Sequence, residues 1–300
     1  MIELMENRVY RPFTGGKLLE AFAGKADAAD GQYPERWICS TTGSSDGKGI
    51  SCTADGTPLT AYYDAPLDIL VKLIDSYTRL MIQVHPTDAY AQAHFNSQYG
   101  KMEAWYILDT RVIDGQQPYV FLGFQEGVTK ERWQEVFAQQ DIPAMEACLH
   151  KIPVKAGDVF LIPGGVPHAM GCGVFFAEVQ QPTDLTLRTE WVSPDGRTMQ
   201  AADLHCGTNE EILFNCFAYE GANLEDTLAR YKVERKGDVV LSDPLFTMRE
   251  IDVEDTYTLP VTNYAIVVVL EGEAKGKEYF LTQPETFAGK QKLLVCTGAN

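Results

Sequence analysis

The 300-residue chain is 45% apolar and carries a formal net charge of −17, enough apolar mass for one large domain or two modest ones. Acidity spread along the sequence argues against a nucleic-acid partner, which calls for a basic patch, though a few local cations can still receive an anionic ligand. Seven cysteines, odd in number and without a CxxC pair, fit neither a disulfide framework nor a thiolate zinc site and read as reduced, mostly structural thiols. The first residues place Glu3 and Glu6 where a secretory leader has a basic and then an apolar region. Apolar runs such as 265–270 are too short to span a bilayer, and a cytoplasmic protein is expected.

From 8 to about 58 the chain is rich in Gly, Asp, Ser and Thr, with 43–47 and Asp55-Gly56 as turn signals, and reads as a loop-rich opening to a β structure. Residues 67–84 carry the branched side chains of buried strands, with Lys72 an unusual charge inside an apolar run. A short helix is expected at 88–98, then strands at 104–108 and 119–124. The spacing of Trp133, Val136 and Phe137, followed by Ile142-Pro143, predicts a two-helix insertion over 129–149. Strands resume at 151–154, 159–162 and 174–179. Beyond Cys206, helices are expected at 210–215 and 224–231. Short strands follow at 239–241, 246–251, 264–270, 278–281 and 291–296, a region free of histidine.

The chemistry concentrates in a few segments. Alternation along a strand puts Gln83 and His85 on one face. Glu103 opens a later strand. His168 ends the stretch from Gly157 through Pro163 and Gly165, which fits the spacing G, five residues, P, one residue, G, two residues, H. That spacing is the second half of the cupin metal signature. Two imidazoles, a carboxylate and an amide suit Zn²⁺, Fe²⁺, Mn²⁺ or Ni²⁺ with open positions for water or substrate. His94, His150 and His205 read as polar residues of the fold, not ligands. Lys101, two residues before Glu103, and Arg188, one strand beyond Glu178-Val-Gln180, are cations suited to stabilising an enediolate or gripping a phosphate.

Taken in order, Gln83-Val-His-Pro86, Gly100-Lys-Met-Glu-Ala-Trp-Tyr106, Gly157 to His168, and Glu178-Val-Gln-Gln181 with Arg188 resemble the short bacterial form of type I mannose-6-phosphate isomerase. The resemblance covers roughly 8–206 closely and the remainder more loosely. It implies a mainly β, bicupin fold of two jelly-roll barrels with a small helical insertion: a metal-binding domain at 1–206 and a smaller domain without ligands at 207–300. It also implies one divalent metal, usually zinc, held by Gln83, His85, Glu103 and His168, with Lys101 and Arg188 serving catalysis and Lys72 and Glu178 the substrate. The implied reaction interconverts mannose 6-phosphate and fructose 6-phosphate through a cis-enediol(ate).

The chain departs from the family pattern at Met81, where a Ser is usual, at Leu187, where a Tyr is common, and at Trp37-Ile-Cys-Ser40. Those changes suggest a substrate shell that has drifted, leaving room for another sugar or sugar phosphate. A cupin dioxygenase would use similar ligands, but Gln83 and the Lys101-Glu103 pair disfavour it. A sugar-binding cupin without turnover is disfavoured by retention of both Lys101 and Arg188.

Overall fold

A computed structural model describes residues 1–44 and 47–299; part of the turn expected at 43–47 lies outside them. In chain order the first elements are β1 (Ile2–Leu4), β2 (Arg8–Val9), α1 (Lys17–Phe22), β3 (Glu35–Ile38), β4 (Leu70–Ser76), β5 (Gln83–Val84), α2 (Asp88–Phe95), β6 (Glu103–Thr110) and β7 (Tyr119–Phe124). Then come α3 (Lys130–Gln139), α4 (Ile142–Ala147), β8 (Leu149–Pro153), β9 (Val159–Ile162), β10 (His168–Met170), β11 (Val174–Gln180) and β12 (Leu187–Arg188). The remainder holds α5 (Ala201–His205), α6 (Glu210–Cys216), α7 (Leu224–Tyr231), β13 (Lys232–Val233), β14 (Val239–Ser242) and β15 (Phe246–Val253). It closes with β16 (Thr256–Leu259), β17 (Ala265–Glu271), β18 (Glu278–Leu281), β19 (Glu285–Ala288) and β20 (Gln291–Gly298).

The protein is mainly β. Its antiparallel strands form a five-stranded sheet (β12-β5-β10-β7-β8), a seven-stranded sheet (β13-β9-β6-β11-β4-β3-β2), a six-stranded sheet (β1-β18-β17-β20-β15-β14) and a two-stranded ribbon (β16-β19). These stack as layers. Ile74, Trp105, Ile107 and Phe176 of the seven-stranded sheet meet Val120, Leu122 and Met170 of the five-stranded sheet. On its opposite face Val71, Leu73, Ala104, Tyr106 and Phe175 meet Phe246, Ile266, Val268, Phe280 and Leu294 of the six-stranded sheet. A strand covered on both sides has no solvent face, which is why β4 and β11 are buried along their whole length and read in sequence as unbroken apolar runs.

The outer face of the five-stranded sheet, with Ile82, Val84, Phe121 and Leu187, packs against Trp133, Phe137, Met145 and Phe214 of the helices. The expected insertion is therefore present as α3 and α4. Thr129 caps the first through a bond from Arg132 N–H, and Asp141 caps the second through one from Ala144 N–H, with Pro143 in its first turn. The break falls at Gln140, whose φ of 48° ends α3, so Ile142-Pro143 begins a helix where the sequence suggested a gap.

Two short strands do not follow sequence order. β1 pairs with β18, and β13 pairs with β9, so the first strand joins the sheet built by the last third of the chain, and β13 joins the one built by the residues before it. β3, within the stretch read as loop-rich, extends the seven-stranded sheet beside β4. No helix among the described residues is long and apolar enough to cross a membrane, and all seven cysteines are unpaired.

Between the seven- and six-stranded sheets lies a buried ion pair: Arg36 Nε and Nη2 donate to Glu278 Oε2 at 2.9 and 2.7 Å, and Cys39 N–H donates to Oε1 at 3.1 Å. Glu278 is fully enclosed. Removing one partner of such a pair strands the other charge out of water. Arg36→Met is expected to lower the unfolding free energy by about 3–5 kcal/mol, measured by denaturant titration; a loss under about 1 kcal/mol would show that the pair is not coupled to folding.

Candidate metal centre and adjoining cleft

The five-stranded sheet brings three side chains into one row, because Gln83 pairs with His168 on one side and Arg188 on the other, and directly paired residues project to the same face. Glu103, the first residue of β6, faces them from the seven-stranded sheet, with Lys101 just before it. A second row crosses that sheet from Trp37 through Lys72 and Glu178 to Trp105.

The distances are short. His85 Nε2 lies 3.1 Å from His168 Nε2 and 3.0 Å from Glu103 Oε1, and His168 Nε2 lies 3.7 Å from Glu103 Oε2. All three residues are buried, and they are the one such group of metal-ligating side chains among the described residues. Gln83 Nε2 approaches His168 Nε2 at 3.3 Å; rotating the amide by half a turn presents its oxygen instead. His94, His150 and His205 lie outside the cluster, as expected; His150 Nε2 bonds to the Ala222 carbonyl at 2.9 Å.

The imidazole tautomers follow from their outer partners. Each Nδ1 faces a backbone carbonyl at 2.9 Å, Leu185 for His85 and Val166 for His168. A carbonyl can only accept, so each Nδ1 carries the proton and each Nε2 presents a bare lone pair inward. Burial, and then the Lys101 charge, pushes the His85 pKa down to about 3, and burial lowers that of His168; both rings are neutral at pH 7. Glu103 stays ionised: burial alone would raise its pKa, but the Lys101 ammonium holds it well below the usual carboxylate range. Two lone pairs and a carboxylate therefore converge. Lys101 Nζ, 2.8 Å from Glu103 Oε1 and 3.3 Å from His85 Nε2, supplies one positive group against them. Ligands of a tetrahedral ion with bonds near 2.1 Å stand about 3.4 Å apart, so this donor set fits a divalent cation.

The backbone around His85 is clasped by two glycines. A Cβ on Gly164 would stand 2.7 Å from Pro86 O and Thr87 N, and one on Gly100 would collide with the Pro86 carbonyl. Gly165 N–H donates to the His85 carbonyl at 2.7 Å. The segment bearing Lys101 is fixed by Asp88 Oδ1, which accepts from Gly100 N–H (2.7 Å) and Gln181 Nε2 (2.8 Å), while Gln181 Oε1 accepts from Met102 N–H (2.9 Å).

Beside the cluster, Lys72 Nζ pairs with Glu178 Oε1 at 3.1 Å, and Trp105 Nε1–H is shared between Glu178 and Glu103, 3.1 Å from each. Burial, then the Glu103 charge, raises the Glu178 pKa to about 7. A cleft of about 500 Å³, open mouth included, joins Lys72, Gln83, Lys101, Glu103, Glu178 and Arg188, bringing together the residues singled out from sequence except the two enclosed histidines beneath. Met81 also lines it. Leu187 does not: it pairs with Val84 and is buried on the opposite, helix-facing side. The expectation that Leu187 reshapes the substrate shell is corrected, because adjacent strand residues point to opposite faces and Arg188 takes the inner one.

Sequence reasoning missed Arg11 and Glu35 and gave Asp184 no role. Arg11 bridges Glu35 (2.8 Å) and Asp184 (3.2 Å) in the cleft wall, and Arg11, followed by Lys72 and Lys101, overcomes burial to bring the Asp184 pKa to about 2. Nothing local marks Arg11 or Glu35, which reach the cleft from the chain's irregular opening. For Asp184 the signal was its place four residues before Arg188.

Fold and site together define a layered antiparallel β protein with a buried two-histidine, one-glutamate centre at the inner end of a charged cleft. No family model matches the chain. A mannose-6-phosphate isomerase of Streptococcus mutans is 31% identical over 210 residues, 69% of this chain and 62% of that protein. The chain thus spans about three fifths of that relative's length, and the stretch aligned with a Bacillus subtilis mannose-6-phosphate isomerase, 35% identical, takes in 44% of it. Among solved structures, mannose 6-phosphate isomerase from Bacillus subtilis matches with a TM-score of 0.74 at 20% identity over 98% of both chains. A mannose 6-phosphate isomerase bound with zinc and yttrium matches at 0.71 and 14% over 99% of both. The chain is a sequence relative of the mannose-6-phosphate isomerases and has the phosphomannose isomerase fold.

The glycine clasp yields a test. Gly164→Ala should push back Pro86 and Thr87, displace His85 and weaken Zn²⁺ binding by about 10-fold or more, read by chelator competition; unchanged affinity would show that the close approach does not position the imidazole.

Proposed function

We propose that this chain is a metal-dependent aldose-ketose isomerase of carbohydrate metabolism, acting in the cytoplasm, that interconverts mannose 6-phosphate and fructose 6-phosphate. The observation that carries this reading is the convergence of two bare imidazole nitrogens and the Glu103 carboxylate beside the ammonium of Lys101, in a chain whose curated relatives carry that name. We assign the ligands as Gln83, His85, Glu103 and His168 and the metal as zinc, which the mixed nitrogen and oxygen set suits and which a solved structure of the same fold is bound with.

In this reading the sheets make two jelly-roll domains, 1–206 with the metal site and 207–300 without ligands, β1 and β13 each crossing to the other's sheet. The bound metal would act as a Lewis acid toward substrate oxygens. Arg188, projecting from the strand beside Gln83, stabilises negative charge as the proton moves between C2 and C1 through the cis-enediolate. Lys101 handles a proton on a substrate oxygen or holds that oxygen in place. Glu178, titrating near neutrality, can accept a hydrogen bond from a sugar hydroxyl or donate one to it, and Lys72 fixes its orientation.

The test is a coupled assay for fructose 6-phosphate formation on metal-depleted protein, with and without Zn²⁺. Turnover should return with one equivalent of metal. His85→Ala and His168→Ala should each lower metal affinity and activity by at least roughly 100-fold. Stoichiometric metal binding without turnover would overturn the substrate assignment, and turnover that ignores metal would overturn the site.

A further inference from the structure

The cleft does not end at Arg188. It continues into a second recess that shares Arg11, Asp184, Thr186 and Arg188 with the first and adds Tyr10 and Arg197. The cations along this path divide into two kinds. Arg11, Lys72 and Lys101 are each paired with a carboxylate. Arg188 and Arg197 form no ion pair with a carboxylate among the described residues: Arg188 Nη1 donates to the Asp203 carbonyl at 2.7 Å, and Arg197 Nη2 donates to Gln32 Oε1 at 2.5 Å with its guanidinium 5.3 Å from the centre of the Tyr10 ring.

In a chain with 42 acidic residues against 25 lysines and arginines, Arg188 stands beside Gln83 near the cluster, whereas half-buried Arg197, which lines the second recess and not the first, is a charge open to an anion. Arg197 is also held in place, since Ser193 N–H donates to its carbonyl at 2.8 Å and its own N–H donates to Ser193 Oγ at 3.1 Å. Lys72 and Lys101 in the first recess are already matched by Glu178 and Glu103, and a guanidinium fork matches phosphate oxygens.

We propose that Arg197 receives the phosphoryl group of the substrate, at the far end from the carbons that Arg188 attends, and so sets the preference for a phosphorylated over an unphosphorylated sugar. This rests on the isomerase reading only for the identity of the sugar; the anion site stands on Arg197 and its place in the second recess.

The test compares the metal-loaded full chain with Arg197→Gln and Arg197→Lys. The glutamine variant, at unchanged metal content, should raise KM for mannose 6-phosphate by about 10- to 100-fold while kcat falls by less. Its specificity ratio for mannose 6-phosphate over mannose should fall similarly, with competitive inhibition by inorganic phosphate weakening in parallel and the lysine variant recovering part of each. Unchanged KM and phosphate inhibition would overturn the proposal, as would an equal loss on both sugars, which would mark a structural role. If the wild type turns over neither sugar the isomerase reading fails, and calorimetric titration with inorganic phosphate decides separately: binding that depends on Arg197 upholds the anion site, and binding that does not, or none, overturns it.

Discussion

A carboxylate and two imidazole nitrogens stripped of their protons repel one another, and in this protein they stand 3.0 to 3.7 Å apart in a space closed to water. No energy gained among those groups keeps them together; the backbone does. Two carbonyls fix the protons on the outer nitrogens, two glycines let neighbouring chain segments close on Pro86, and the Asp88–Gln181 bonds hold the segment that delivers Lys101. Behind β5, Glu190 accepts from Ile82 N–H at 2.6 Å while Arg79 neutralises it at 2.7 Å, anchoring the approach to Gln83. The packed fold outside the cluster offsets the cost of an arrangement whose acceptors are matched by a divalent cation.

The facing sheet meets the same problem with alternating charge. A lysine on the inner face of a central strand is costly unless paired, and Lys72 lies against Glu178 and over the Trp37 ring. Glu178 in turn is linked to Glu103 only through the single N–H of Trp105. One donor cannot fully satisfy two carboxylates. Glu103, with the Lys101 ammonium against it, keeps its charge, and burial together with that charge raises the Glu178 pKa to about 7. Two acids in one chamber thus acquire different protonation behaviour from their neighbours alone, the pattern by which a site separates a permanent anion from a group able to exchange a proton.

Much of this was legible because strand parity is rigid. Gln83 and His85 could be placed on one face from alternation, His168 from the glycine turn before it, and Lys72 from its intrusion into an apolar run. The same parity forbade what was inferred for Leu187, since a residue adjacent to an inward Arg188 must face outward. Arg11 and Glu35 were not legible: they enter from a loop and a four-residue strand whose pairing with β4 spans more than thirty positions. The exchange of β1 and β13 between sheets was hidden for a related reason. Strands of two or three residues carry no periodic signal, and their partners are chosen by long-range packing, not local sequence.

The six-stranded sheet contributes no residue to the cleft, yet the cleft depends on it. The strands that carry Lys72, Glu103 and Glu178 inward carry Val71, Leu73, Ala104, Tyr106, Ala177 and Val179 on the alternate positions outward, where the six-stranded sheet covers them. Exposing that face would cost about 25 cal/mol for each Å² of apolar surface returned to water. It would also free β4, β6 and β11 to shift or flip register, and a slip of one residue would exchange the apolar set for the charged one. The buried Arg36–Glu278 pair, reaching from β3 to β18, resists that slip, because a displaced register would leave both charges unpaired. The histidine-free last third of the chain therefore acts on the site at a distance, by fixing which face of the shared sheet the site occupies.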